Sequence, residues 1–399
     1  MVGIGVKPVL AVVIPLIGHS WANTFGTLAV AWFATKNAVP IENEAATLLF
    51  SSLLLWIPNL LAGLMICWLY AKWKGVKEGL PAVLIISLIH GGGQLLLTQI
   101  NPALSNFVPA TLALGVLFLL ARMKTYQNKS ELETSSDILD EKHSSAPQEH
   151  AHVSLHKAFM PYYVLTVVTV IMLGIPAIYD VLHQFEYGPP FPAAHTGHGF
   201  QVDAEESYSP LSPLTHSGLY LFVVCLFASL WYKHFGMYKE NSFKKIRKGV
   251  FGNAVGASLA ITGFLVMTEI MSGSGQTTIV AMGIAEISGP GVYVALSSLM
   301  GIIGAFMTSS NTSSNVLFSP LHGSVVQTMD HLELPQVIAA QTAGAAIGNA
   351  IAPANVMLGT STAGVSGKEP EVLKYTLFFV SIAGILVAAA AVFLHLAAA

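Results

Sequence analysis

The sequence predicts an all-α polytopic membrane protein, and three observations predict it. Hydrophobic residues make up 53% of the 399 positions and charged residues only 10%, against about 25% charged in an ordinary soluble chain; mean hydropathy is +0.64. Apolar runs of membrane-spanning length recur from one end of the chain to the other. Between them, Lys and Arg gather in alternate connections, the distribution that follows from retention of basic loops in the cytoplasm. A net charge of −3 offers no basic surface for nucleic acid.

In chain order the apolar runs fall near residues 8–33, 45–70, 80–98, 107–121, 158–182, 215–232, 250–271, 290–307, 335–352 and 375–396. Several are interrupted by Gly, Pro or polar residues, so about nine to eleven transmembrane helices are expected, some broken or re-entrant. Residues 1–124 form an N-terminal block of helices. Residues 125–157, polar and Ser-rich, read as a disordered cytoplasmic linker. Residues 158–399 form the C-terminal transmembrane region. The basic connections are Lys72, Lys74 and Lys77; Arg122 and Lys124 through Lys129; and Lys233 through Lys248. Connections 99–106 and 183–214 carry no Lys or Arg. This places the chain in the cell membrane as a multi-pass protein with a cytoplasmic N-terminus. The stretch 183–214, with Pro189, Pro190, Pro192, Pro210 and Pro213, reads as an external, partly ordered loop. The opening Met1-Val2-Gly3-Ile4 lacks the pattern of a removable signal peptide. Cys67 and Cys225 lie in apolar runs and read as small core residues.

The polar residues inside the runs are where function is expected. The run Thr308, Ser309, Ser310, Asn311, Thr312, Ser313, Ser314 and Asn315 lies between two strongly apolar segments, with no charge from Gly289 to Met329. Lipid cannot satisfy so many polar groups, so the segment must face protein or water. Ser, Thr and Asn also bond to nearby backbone, which allows a local break in a helix. A polar break of this kind is the best sequence pointer to a transporter site; the alternative is a polar loop outside the membrane. A second interruption, Gly18 to Thr27, brings His19 and Asn23 to membrane depth. It reads either as half of a substrate site or as a packed helix interface. A third, Gln341 to Asn355, holds the small-residue pair Gly344 and Gly348, then Asn349, Pro353 and Asn355; packing and substrate contact both fit. Glu269 and Glu286 are carboxylates in or near spans, and Glu269 with His19 are the candidate proton carriers. His90, beside Gly91-Gly92-Gly93, is a weaker candidate of the same kind. His150, His152, His156, His195 and His198 read as solvated loop histidines rather than metal ligands. No metal site, nucleophile–base pair or dinucleotide motif is visible, so an enzyme is not expected.

Thr308 to Phe318, Gly344 to Pro353 and Gly364-Val365-Ser366-Gly367-Lys368-Glu369 resemble, in order and spacing, the C-terminal part of the lactate permease family. Weaker similarity runs back through Ala158-Phe159-Met160-Pro161, Leu80-Pro81-Ala82-Val83 and Lys7-Pro8. The resemblance implies a secondary carrier that moves L-lactate or a related 2-hydroxy acid with a proton. It also implies an ion-transporter-superfamily architecture of inverted repeats with re-entrant hairpins. Three departures stand out. Typical members are longer at the N-terminus and carry a Gly-rich motif there that this sequence lacks. They have Asp where Asn311 stands and Lys where Asn349 stands. Replacement of both is self-consistent, since a lone buried charge is costly.

The expected function is therefore secondary active transport of a small monocarboxylate, as proton symport by alternating access. Its centre is Ser309 through Asn315, approached by His19, Asn23 and Asn349. The partners are the small carboxylate and the lipid bilayer, with no nucleic acid. No organic cofactor is expected; the coupling ion is H+, or alternatively Na+. A homo-oligomer or a partner membrane subunit remains open. The rival reading is a non-transporting subunit or truncated paralogue that needs a partner to supply N-terminal helices.

Overall fold

The computed structural model describes the chain except for residues 3–4, 124–125, 127–154, 189, 191, 196–200, 203, 205, 207–211, 239–240, 274–275 and 399. Some side chains within helices, Glu269 among them, are also outside the described set. Nearly all of the 125–157 linker lies outside it, as do His150, His152 and His198.

The regular elements among the described residues are helices, apart from one short β-ladder in which β1 (Ala194–His195) pairs antiparallel with β2 (Gln201–Val202). They gather into two compact units, residues 1–149 with 278–399, and residues 150–277. The second unit contains α6 (Leu155–Gly174), α7 (Pro176–His183), α8 (Ser217–His234) and α9 (Ser242–Gly273). In it, Trp231 and Tyr232 of α8 donate hydrogen bonds to the Lys157 and Ala158 carbonyls of α6.

The first unit carries the site. It begins with α1 (Pro8–His19) and α2 (Val30–Ala38), separated by a turn segment in which Leu28 and Ala29 have positive φ. Next comes α3 (Glu44–Ser87), two helical arms joined by non-helical backbone at Ala71 and Lys72. The arms fold back on each other through glycines. A Cβ on Gly75 would overlap the Cys67 carbonyl, and one on Gly91 would overlap the Trp56 ring. A π-turn, Leu88–Gly92, then leads to α4 (Gly93–Thr98) and α5 (Phe107–Leu120). The Lys72, Lys74 and Lys77 connection thus continues almost directly into helix, as suits three good helix formers.

The C-terminal half of this unit contains α10 (Gln276–Ile287), α11 (Pro290–Thr308), α12 (Asn311–Thr328), α13 (Leu334–Gly348), a 3-10 turn (Asn349–Ile351), α14 (Pro353–Thr362) and α15 (Glu369–Ala398). α13 is buried at every position from Pro335 to Gly348. It lies against α11 with backbones nearly touching: Cβ atoms on Gly344 and Gly348 would overlap the Ser298 and Ile302 carbonyls, and one on Gly301 would overlap that of Gln341. Small residues at such positions let transmembrane helices approach closely and pack. Apolar side chains on the outer faces of α5, α11 and α15, such as Leu117, Phe118, Leu296, Ile303, Leu377 and Phe393, remain exposed, as suits a surface wetted by lipid.

Among the described residues five helices are long and apolar enough to cross a membrane, and three shorter apolar helices accompany them. The expected nine to eleven spans are not confirmed. Helix breaks account for part of the difference, because α1 has 12 residues and α2 has 9, less than the roughly 20 that a full crossing needs.

Candidate functional site

The break expected between Thr308 and Asn315 is short. α11 ends at Thr308, Ser309 turns left-handed (φ 54°, ψ 28°), Ser310 is extended, and α12 starts at Asn311. Thr308 holds the turn, its Oγ1 lying 2.8 Å from the Gly304 carbonyl and 3.0 Å from that of Ser310, which share its one hydrogen. Ser310 caps α12, its Oγ accepting the Ser313 N–H at 3.1 Å, as Ser does well at helix starts. Only Ser309 and Ser310 therefore leave the helical path. Asn311 through Asn315 form the first turn of α12, and all of them except Thr312 are buried. α11 and α12 form a hairpin with this tip, and Ser309 Oγ accepts the Ala354 N–H at the start of α14, at 3.4 Å.

The turn segment between α1 and α2 meets this hairpin and the α13–α14 break. Asn23 Nδ2 donates to the carbonyls of His19 and Ala346, at 3.0 and 3.1 Å. Carbonyls can only accept, so the amide orientation is fixed and Asn23 Oδ1 faces Asn349 Nδ2, 3.0 Å away. Asn349 Oδ1 in turn accepts from Asn355 Nδ2 at 2.7 Å. The adjacent Thr24 lies 3.0 Å from Thr342 Oγ1 and receives Asn311 Nδ2 at 3.0 Å. Asn315 Nδ2 bonds to Thr342 and Thr35, at 2.8 and 3.1 Å. Thr35 uses its own hydrogen on the Ala31 carbonyl, so it can only accept from Asn315, and Asn315 Oδ1 must point the other way.

Three buried polar atoms on α12 have no partner: Asn311 Oδ1, Asn315 Oδ1 and Ser319 Oγ. Their residues are 3%, 0% and 0% exposed. Spaced by four, they form one stripe along the helix. An unmet buried polar group costs about 1–3 kcal/mol, so three in a row on one face mark where a polar guest is needed. His322, three residues past Ser319, lies on the same stripe. It is fully buried, with Nδ1 2.7 Å from the Tyr293 hydroxyl and Nε2 3.3 Å from Gln341 Oε1. Gln341 Nε2 donates to Ser314, at 3.3 Å to its carbonyl and 3.1 Å to its hydroxyl.

Two pockets lie near this core. A pocket of about 670 Å³ is lined by His19, Asn349 and Asn355 with apolar walls from α1 and α14, beside the break that Ser309 touches. Another, of about 530 Å³, is lined by Gly323, Val326 and Gln327 near the far end of α12, together with Glu42 and Glu333.

Of the site residues expected from sequence, Asn23, Asn349 and Asn311 are thus linked through one turn segment, and His19 lines the adjoining pocket. Asn315 joins the same network, Ser314 joins the Gln341–His322 branch, and Ser309, Ser310 and Ser313 shape the hairpin tip. Thr312 is half-buried with no side-chain bond recorded. Glu269 lies in α9 with its side chain outside the described residues, and Glu286 is exposed. His90 belongs to a separate polar cluster, with Trp21 Nε1 donating to its Nδ1 at 3.0 Å and Asn59 and Asn106 amides at 2.9 and 3.2 Å. No group of three metal-ligating side chains occurs among the described residues. Sequence reasoning passed over Thr35, Tyr293, Ser319 and His322, and took in Thr24 only as one of the hydroxyls between Gly18 and Thr27. The readable signal was the helical spacing of Asn311, Asn315, Ser319 and His322.

The family model described as L-lactate permease matches residues 1–397. The chain belongs to the L-lactate permease family. The L-lactate permease of Halalkalibacterium halodurans is 25% identical, over 94% of this chain and 69% of its own length. The glycolate permease GlcA of Escherichia coli is 26% identical, over 97% of this chain and 72% of its own. A putative L-lactate permease of Haemophilus influenzae reaches 34% identity, over 34% of this chain and 26% of its own. No solved structure matches. As a permease family member, the chain belongs with membrane transport proteins rather than enzymes, which fits the long apolar helices.

Proposed function

We propose that this family member carries a small 2-hydroxy monocarboxylate of the lactate or glycolate class across the cell membrane, in symport with a proton, by alternating access around the polar core of α11 to α14. The unpartnered stripe on α12 carries the reading. A 2-hydroxy acid brings a hydroxyl that can donate to Asn311 or Asn315 Oδ1, and a carboxylate that accepts from Ser319. The start of α12 adds the N–H groups of Asn311 and Thr312, for which the helix has no acceptor, and the positive end of its dipole. An anion can be held there without a cationic side chain. The names of the relatives, lactate and glycolate permeases, support this substrate class.

The basic connections support a cytoplasmic N-terminus. For the coupling proton the sequence offers Glu269 and His19; Na+ is the rival ion. Purified full-length chain in proteoliposomes provides the test. Uptake of labelled L-lactate or glycolate driven by an inward proton gradient is the expected result. No uptake by the chain alone, restored by a second membrane protein, would favour a subunit role instead.

A further inference from the structure

We propose that His322 is the proton-binding group of the carrier, placed on the same helix stripe as the substrate-facing residues Asn311, Asn315 and Ser319. The proposal rests on the proton-symport reading above and names the site at which the proton is held.

Elimination carries the first step. From Pro290 to Thr328 and from Leu334 to Thr362, Tyr293 and His322 are the only titratable side chains. α12 packs against α11, α13 and α2. α11 presents Tyr293, α13 presents no titratable group, and the charged residue of α2, Lys36, is ion-paired with Glu44. Imidazole is the side chain whose protonation changes near neutral pH.

Hydrogen-bond counting carries the second. Gln341 donates to the Ser314 carbonyl, which can only accept, so its Oε1 faces His322 and His322 Nε2 carries the hydrogen. Nδ1 is then the basic nitrogen, and it receives the Tyr293 O–H. A proton arriving at Nδ1 requires only that this hydroxyl rotate, because the phenol oxygen can accept from the new N–H. His90 is built differently. The Trp21 N–H on its Nδ1 can only donate, so protonation there would break the bond with no rotation to restore it.

Position and coupling complete the case. Gly323, the next residue along the helix, lines the pocket that also holds Glu42 and Glu333, beside the fully buried imidazole. A proton on His322 would be the one positive charge on the stripe. A buried imidazolium and a buried carboxylate each reduce the cost of the other, and by reciprocity each then tightens binding of its partner.

The experiment uses full-length chain in proteoliposomes with labelled L-lactate as probe. His322→Gln is expected to lose gradient-driven accumulation at least about tenfold, as a proton-coupling group would, while slower lactate exchange persists without its pH dependence. Accumulation at the wild-type level would overturn the proposal. So would loss of exchange and accumulation together in a variant with the wild-type melting temperature, since that marks a residue needed for binding. Should His322→Gln not fold, Tyr293→Phe decides: the phenol oxygen holds the charged imidazolium more strongly than its hydroxyl holds the neutral ring, so its removal is expected to lower the pH midpoint of uptake by about 0.7 unit, and an unmoved or raised midpoint overturns the assignment. If the wild-type chain neither accumulates nor exchanges lactate or glycolate, the carrier reading itself fails, an outcome distinct from the others.

Discussion

Asn311 and Asn349 are joined through neighbouring residues of one turn: Asn311 donates to Thr24 and Asn349 donates to Asn23, each at 3.0 Å. The two positions at which the lactate permease resemblance implies Asp and Lys therefore converge on the segment between α1 and α2. That link makes energetic coupling between them measurable.

Asn311→Asp alone is expected to weaken substrate binding, because it sets a carboxylate against an anion with no cation nearby. Adding Asn349→Lys is expected to recover part of the loss, with a coupling of about 0.5–3 kcal/mol. A double-mutant cycle on lactate affinity in purified protein measures it, and additive effects would place the two residues in separate sites.

The hairpin tip was legible because lipid has no partner for Thr308 to Asn315, and the amides at Asn23 and Asn349 were legible as polar residues in apolar runs. His322 was not. It falls within the apolar run that follows Asn315, and Tyr293 and Gln341 reach it only through the α11–α12 hairpin and α13. The breadth of the break was also overdrawn. Ser and Asn residues favour helix starts as much as irregular backbone, and here two residues break the path while the next five begin a helix. The arms of α3 were seen as separate runs, 45–70 and 80–98, yet a turn as tight as Ala71–Lys72 depends on Gly75 against the Cys67 carbonyl, a contact no periodicity reveals.

Gly344→Ala tests the closeness of α11 and α13. Its Cβ would overlap the Ser298 carbonyl, backbone that cannot swing aside as a side chain can. Overpacking of this kind typically costs about 1–3 kcal/mol, so the detergent-purified variant is expected to melt well below wild type. Equal melting temperatures would mean that the two helices sit farther apart.

Orientation can be read by labelling. With Cys67 and Cys225 replaced, a single cysteine at Lys245 is expected to react only from the cytoplasmic side and one at Asp203 only from outside. The reverse pattern would invert the topology.

Glu269→Gln and His19→Gln separate the carriers suggested by sequence from His322. With the proton on His322, Glu269→Gln is expected to keep gradient-driven lactate accumulation in proteoliposomes, and His19→Gln, which alters a pocket-lining residue, to keep its proton coupling even where lactate affinity falls. Loss in either, beside normal accumulation by His322→Gln, would move the proton to that residue.

α12 has 18 residues, a length of about 27 Å, close to the hydrocarbon thickness of a bilayer. Neither pocket at its ends is lined by Asn311, Asn315 or Ser319. On the alternating-access proposal this conformation would be a wall to a solute, and its lock would be the row of Asn and Thr bonds between the hairpin, α13 and the α1–α2 turn. Because those bonds join neutral groups, opening the wall exposes amides and hydroxyls that water can satisfy, without separating any ion pair. A gate of this kind should respond weakly to ionic strength and strongly to the loss of a single hydroxyl, such as that of Thr24 or Thr342.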